Sequence, residues 1–262
     1  MTKWLQLWQT GDVHKESQRL IHSVKSIREA SMRETVLAER LREHPLANTF
    51  VAMEELIHRG GQGNLDVSVA LSALVSILEP PSKLSYETRA DLYALANERG
   101  AMELAYVLLE GVATESKEVE DKPRAIVPNG PVLSLGARKS IARTRDRSRL
   151  LPLIHDPNLQ VIEILLSNPN LIESDVVVMA SKRPADPVGL RLISAHPKWS
   201  QPRSVRYALV LNPGCPLPLA CRLSLDLRNS DLREIRRNAS SPALLRGHAE
   251  RLLKKREASA GA

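Results

Sequence analysis

Seven histidines, thirty carboxylates and two cysteines are the side chains of this 262-residue chain with the chemistry to hold a metal or move a proton. Their spacing points away from both roles. Cys215 and Cys221 make no zinc pattern and are too few for a disulfide framework, so they are expected as small apolar residues between helices. His155 and His196 stand beside or before prolines, where a turn or capping role is expected. Glu54-Glu55 is expected on a solvated helix surface. A nucleophile elbow and an HExxH pair are absent. Gly60-Gly61-Gln62-Gly63 follows a helical stretch, not a strand, which makes it a poor phosphate loop and an expected flexible turn. No cofactor, metal or catalytic residue is expected, and the chain does not read as an enzyme.

The cations are more informative. Residues 1–130 hold 15 Lys and Arg against 19 Asp and Glu, whereas 131–262 hold 22 against 11. An asymmetry of this kind predicts an acidic partner for the basic half. Arg138, Arg145 and Arg149 would share one side of a continuous helix, and Arg233, Arg236 and Arg237 one face of a later helix with Leu232 and Ile235 inward. Both sets are candidate contacts for an acidic protein or for phosphates. Trp4 and Trp8, four residues apart, would make a hydrophobic anchor on one helical face or staple the N-terminus down.

The elements that must position these residues are helical. Hydrophobic residues make 43% of the chain while Phe, Trp and Tyr make 3%, a Leu/Ala-rich balance that suits helices. The apolar stripe predicts one long helix over 13–44, ended by His44-Pro45. Further helices are predicted over 47–58, 65–78, from Ser85 to Gly100, and from 101 to 111. The fold class predicted is all-α, with a helical bundle over 1–112 and a charged linker over 113–132. No apolar run approaches a membrane span, and Met1 to Asp12 lacks a signal-peptide core, so a cytoplasmic protein is expected.

From 133 to 262 short apolar helices alternate with proline turns. Asp156-Pro157 and Asp186-Pro187 are 30 residues apart, and Asn168-Pro169 and His196-Pro197 are 28 apart. The segments SNPNLIESDVVVMASKRPADPVGLRLI and LVLNPGCPLPLACRL carry this pattern, which predicts paired helices that stack. Here the chain resembles HEAT-like helical repeats, in particular the leucine-rich-repeat-variant type found in bacterial proteins. That resemblance covers about 150–253 and implies an α-solenoid, a fold that hosts many functions. The variant family's iron–sulfur cluster sits on an N-terminal cysteine-rich segment with no counterpart here.

Three functions are compatible with these features. A non-enzymatic scaffold or adaptor would bind an acidic protein on the basic repeats. A nucleic-acid-binding protein would use the same surface through phosphates. A HEAT-like-repeat DNA glycosylase would need an acid such as Asp175 or Asp186 and base-holding aromatics such as Trp199 and Tyr207. The adaptor is the leading expectation.

Overall fold

The computed structural model describes residues 10–80, 82–109, 122–128 and 130–260, and within them the protein is all-α. In chain order the helices are α1 (Thr10–Lys25), α2 (Ala30–Glu43), α3 (Leu46–Arg59), α4 (Leu65–Leu78), α5 (Tyr86–Glu98) and α6 (Met102–Leu108). Next come α7 (Leu135–Ala142), α8 (Arg147–Leu150), a 3-10 turn (Leu151–His155), α9 (Leu159–Leu166), α10 (Glu173–Ser181), α11 (Pro187–Ala195) and α12 (Arg203–Leu211). The last three are α13 (Leu217–Ser224), α14 (Asn229–Arg237) and α15 (Ala243–Ala260). A short antiparallel hairpin pairs β1 (Arg124–Ala125) with β2 (Val132–Leu133), inside what the sequence predicts as linker.

The chain groups into two compact units. One combines residues 1–111 with 217–262, and the other is 112–216. This grouping differs from the expected division into a bundle over 1–112 and repeats over 133–262. The final three helices pack with the first six.

In the first unit the apolar helix α4 supplies the centre: Val67, Ala70, Leu71, Leu74, Ile77 and Leu78 are all buried. Asn64 caps its start by accepting the N–H groups of Asp66 (3.0 Å) and Val67 (3.3 Å). Ser85 caps α5 in the same way, through the N–H of Thr88. The expected long helix over 13–44 is instead two, broken between Lys25 and Ala30. The guanidinium of Arg33 donates to the carbonyls of Ile27 (3.0 Å) and Arg28 (3.2 Å), satisfying groups the break leaves open. The turn lets Leu20, Ile21 and Val24 on α1 and Leu37, Ala38 and Leu41 on α2 all face the core, while Met32 is left exposed.

Gly60 and Gly61 are a structural requirement, in place of the expected flexible turn. Gly61 has φ +68°, and a Cβ there would lie 2.0 Å from the Leu227 carbonyl oxygen. A Cβ at Gly60 would lie 2.1 Å from the Leu225 carbonyl oxygen. Only glycine permits that approach of two backbones. The 225–227 segment is fixed by several bonds. Asp226 Oδ1 accepts from the Gly61 N–H (3.3 Å) and the Ser68 hydroxyl (2.8 Å). The buried Arg256 donates to the carbonyls of Leu225 (2.6 Å) and Leu227 (2.8 Å). A second buried arginine, Arg222 on α13, donates to the Val107 carbonyl at 2.7 Å and pairs with Glu79. These bonds explain why residues far apart in sequence form one unit: α13 satisfies the end of α6, while α15 and the start of α4 satisfy the α13–α14 connection.

In the second unit, successive helices alternate between two rows. Helix α7 packs on α9 and α9 on α11, while the 3-10 turn packs on α10 and α10 on α12. Each row is tied at its helix ends by one repeated device. Asn168, at the end of α9, donates through Nδ2 to the carbonyls of Ala142 and Thr144, both at 2.8 Å, at the end of α7. Asn212, at the end of α12, does the same to Ala180 (2.7 Å) and Lys182 (3.0 Å) at the end of α10. After α11 the donor is Trp199, whose indole N–H reaches the Leu166 carbonyl at 2.7 Å at the end of α9. Each donor satisfies a helix-terminal carbonyl that has no partner within its own helix. The asparagine Oδ1 atoms also accept the N–H two residues on, Asn170 and Gly214, each at 2.9 Å, closing the proline turns.

Candidate functional site

The arrangement in the second unit leaves an open apolar groove of about 710 Å³ between α9, α10 and α11. Ile154, Ile162, Met179, Leu190 and Ile193 form its floor, and Pro157, Leu159, Pro184 and Ala185 its mouth. The two Asp-Pro turns that set the 30-residue spacing both line it. Asp156 and Asp186 each accept the N–H two residues on, from Asn158 and Val188, at 2.9 Å. Neither acid is placed to do acid–base work. Asp186 is the N-cap of α11, and Asp156 is fully engaged by the Arg138 guanidinium at 2.7 Å to both oxygens. Lys182 is the one cation of the lining among the described residues; its Nζ donates to the His155 carbonyl at 2.7 Å. Burial pulls its pKa below the usual lysine value, Asp156 acts in the opposite sense, and Arg124 adds to the lowering.

Arg138 therefore corrects the expected stripe. It is 0% exposed and serves as the buried anchor of α7. Nor do the three arginines share a helix: Arg138 is on α7, Arg145 in the following turn and Arg149 on α8, with Asp146 capping α8 through the Ser148 N–H. Arg145 and Arg149 remain exposed. Arg233, Arg236 and Arg237 are exposed on α14 with Leu232 and Ile235 buried, the expected division of faces. They belong to the other compact unit, and Arg233 lies 3.6 Å from Glu257. Trp4 and Trp8 lie outside the described residues.

Three of the residues a glycosylase would need, Asp175, Asp186 and Trp199, are occupied otherwise. Asp175 accepts both arms of Arg147, each at 2.8 Å, and the Ile172 N–H at 3.1 Å, which satisfies the backbone just before α10. Burial works to raise its pKa, but the Arg147 and Ile172 bonds outweigh it and hold the group ionised below the usual value. Trp199 is 2% exposed, with Lys198 Nζ 4.0 Å from its ring centre and its indole committed to Leu166. It offers no face on which a base could stack. His196 takes the expected turn role, its Nδ1 accepting the Lys198 N–H at 3.3 Å.

A polar cluster in the first unit escaped sequence reasoning. Glu54 and His58 on α3 and Glu103 on α6 bring three ligand-type atoms within 4.8 Å of one another, a set that could hold a metal. Lys255 on α15 already supplies a cation there, 3.2 Å from Glu54 and 3.5 Å from Glu103. Burial would raise the pKa of Glu103, but the His58 hydrogen bond (3.4 Å), its own backbone N–H and Lys255 bring it to about 2. The ammonium occupies the electrostatic place of a divalent ion, and its effect is to hold α15 against α3 and α6. Beside it, His248 is 0% exposed, with Nε2 3.2 Å from the Cys221 carbonyl and Nδ1 without a hydrogen-bond partner. Burial lowers its pKa to about 4, outweighing the Cys221 carbonyl and Glu103. Cys221 is itself buried and its thiol is pushed up to about 12 by burial, which is not a nucleophile's environment. The i,i+4 spacing of Glu54 and His58 was the only trace of this cluster in the sequence.

Among the described residues no helix is long and apolar enough to cross a membrane. No family model, no curated protein and no solved structure matches the chain.

Proposed function

We propose that this protein is a non-enzymatic adaptor whose 112–216 unit is a short HEAT-like α-solenoid that takes a segment of a partner protein in its groove. The observation that carries this reading is the groove itself: a wide apolar trough whose polar lining groups serve the fold and leave nothing to act on a substrate. Its volume suits recognition of a few side chains. The partner segment is apolar and acidic. Residues 122–216 hold fourteen Lys and Arg against six Asp and Glu, and Lys182 stands in the groove partly stripped of water. An incoming carboxylate would restore what that ammonium has lost, and Arg145 and Arg149 would steer it. Two cysteines outside any disulfide, one of them buried, suit a cytoplasmic setting.

The test is panning of a random peptide display library against the whole protein. Sequences combining apolar residues with Asp or Glu should be enriched. Gly189 lines the groove, and a Cβ there would sit 3.5 Å from Leu159, an ordinary contact. Gly189→Phe should therefore plug the trough and abolish peptide binding with helicity unchanged, while Gly189→Ala retains it. Arg145→Glu with Arg149→Glu should slow association and shift stability by no more than about 0.5 kcal/mol. Equal binding by the plugged variant, or preferred binding of random duplex DNA with a steep salt dependence, would overturn the reading.

A further inference from the structure

A second cavity, of about 630 Å³, lies within the first unit and runs against that segment's charge. Residues 1–111 carry fewer cations than carboxylates, twelve against fifteen. Yet Arg19, His22 and Lys25 on α1, with Arg40 and His44 at the end of α2, all line one cleft. Asp66, at the start of α4, is the only carboxylate of that lining among the described residues. Buried Leu20 and Ile21 give it an apolar wall.

Lys25 and Arg40 each occupy the last turn of a helix, where a cation suits the helix dipole whatever its function. That role explains each residue singly. It does not require two helix ends to deliver their cations into one concavity, nor Arg19 to join them from mid-helix. The described partners of Lys25 and Arg40 hold these two loosely. Lys25 lies 3.4 Å from Asp66 and Arg40 3.4 Å from Glu43, with side chains 39% to 65% exposed, so these pairs exchange readily for a better anion.

We infer that this cleft binds a small phosphorylated organic anion. Arg40 and Lys25 contact the phosphoryl oxygens, His22 and His44 offer N–H donors, and the organic portion lies along the Leu20–Ile21 wall. The volume accommodates a molecule of nucleotide size. A phosphoryl group fits better than a carboxylate, since three acceptor oxygens can meet several donors at once.

The experiment is isothermal titration of the full-length protein with pyrophosphate and with ATP, at low and at physiological salt. Both should bind, and ATP the more tightly if the apolar wall takes its organic part. Lys25→Gln with Arg40→Gln should weaken binding at least about tenfold, the worth of one lost charge-assisted bond. Asp66→Asn removes a negative charge from the lining and should tighten binding several-fold, a gain no merely structural role would give. Arg42→Gln is the control: this neighbouring guanidinium donates to the Ala38 carbonyl and lies outside the lining, so affinity should hold. Circular dichroism on each variant separates lost binding from lost folding, and Asp66→Asn tests the site even if the double variant unfolds. Failure of both probes to bind, or an unchanged affinity in Asp66→Asn, overturns the inference.

Discussion

The two units hold their helices together by opposite means. In 112–216 every tie described above links neighbours along the chain: Asn168 reaches back to Ala142 and Thr144, and Asn212 to Ala180 and Lys182. In the other unit the deciding bonds span most of the sequence, from Arg222 to Val107, from Gly61 to Asp226 and from Lys255 to Glu54. The first strategy repeats one chemical device at each turn. The second uses a different device at each junction, so no single motif stands for the whole. A repeated tie suits a surface built to be extended or varied, because each turn is satisfied locally. A set of unique ties suits a closed body.

That contrast can be broken from either side. The largest effect is expected at Arg138. Truncation to Ala leaves Asp156 buried without its counter-charge, a loss of about 3–5 kcal/mol. Hydrogen exchange read by mass spectrometry should show the loss across residues 122–216. Retained protection there would mean that the asparagine ties hold the rows alone. Next is Gly61→Ala, which sets a Cβ against the Leu227 carbonyl at a left-handed φ and should cost about 3 kcal/mol. Here α3, α4 and α15 should lose protection while the 122–216 amides keep theirs. If amides throughout 122–216 weaken equally, the division into separately cohesive units is wrong.

The smallest effect is a pH slope. His248 has its folded pKa near 4, below the ordinary value of about 6.5, so between those limits the unfolded chain binds the extra proton. The stability this group permits is complete above about pH 7 and falls as the pH drops toward 4, by about 2 kcal/mol at pH 5. Glu103 acts lower down: its folded pKa near 2 gives a contribution present above the ordinary carboxylate range and lost as the pH falls toward 2. Denaturant unfolding of wild type and His248→Leu at pH 8 and pH 5 separates the two. A parallel pH dependence in both proteins would show that His248 is not the group responsible.

What the sequence made legible follows the same contrast. The helical class, the capping by Ser85 and the Asp-Pro and Asn-Pro turns were readable because their causes lie within a few residues. The groove's two Asp-Pro ends are visible in the sequence as a repeat, whereas the burial of Asp156 is not. The Arg138 stripe failed because angular periodicity treats a helix as continuous, and Asp146 restarts it by capping α8. Burial of an arginine also depends on a counter-charge elsewhere, here 18 residues away. Gly60-Gly61 resembled a loose turn because the strand of backbone pressed against it comes from residues 225–227. The Glu54–His58–Glu103–Lys255 cluster was hidden for the same reason, since its members are drawn from three helices.

One consequence of the chain's order concerns its birth. Residues 112–216 interrupt the unit formed by 1–111 and 217–262. On a ribosome the first six helices emerge without α13 to α15, and at about 5–20 residues per second they wait roughly 5–20 s for them. During that interval the Val107 carbonyl lacks Arg222, Glu103 lacks Lys255, and the apolar faces that meet α15 stand open. The interrupting segment is complete before the rest arrives and, with its short-range ties, folds first. Vectorial synthesis thus makes the later-encoded unit the earlier one to mature, and leaves the nascent N-terminal helices as the stretch most in need of a chaperone.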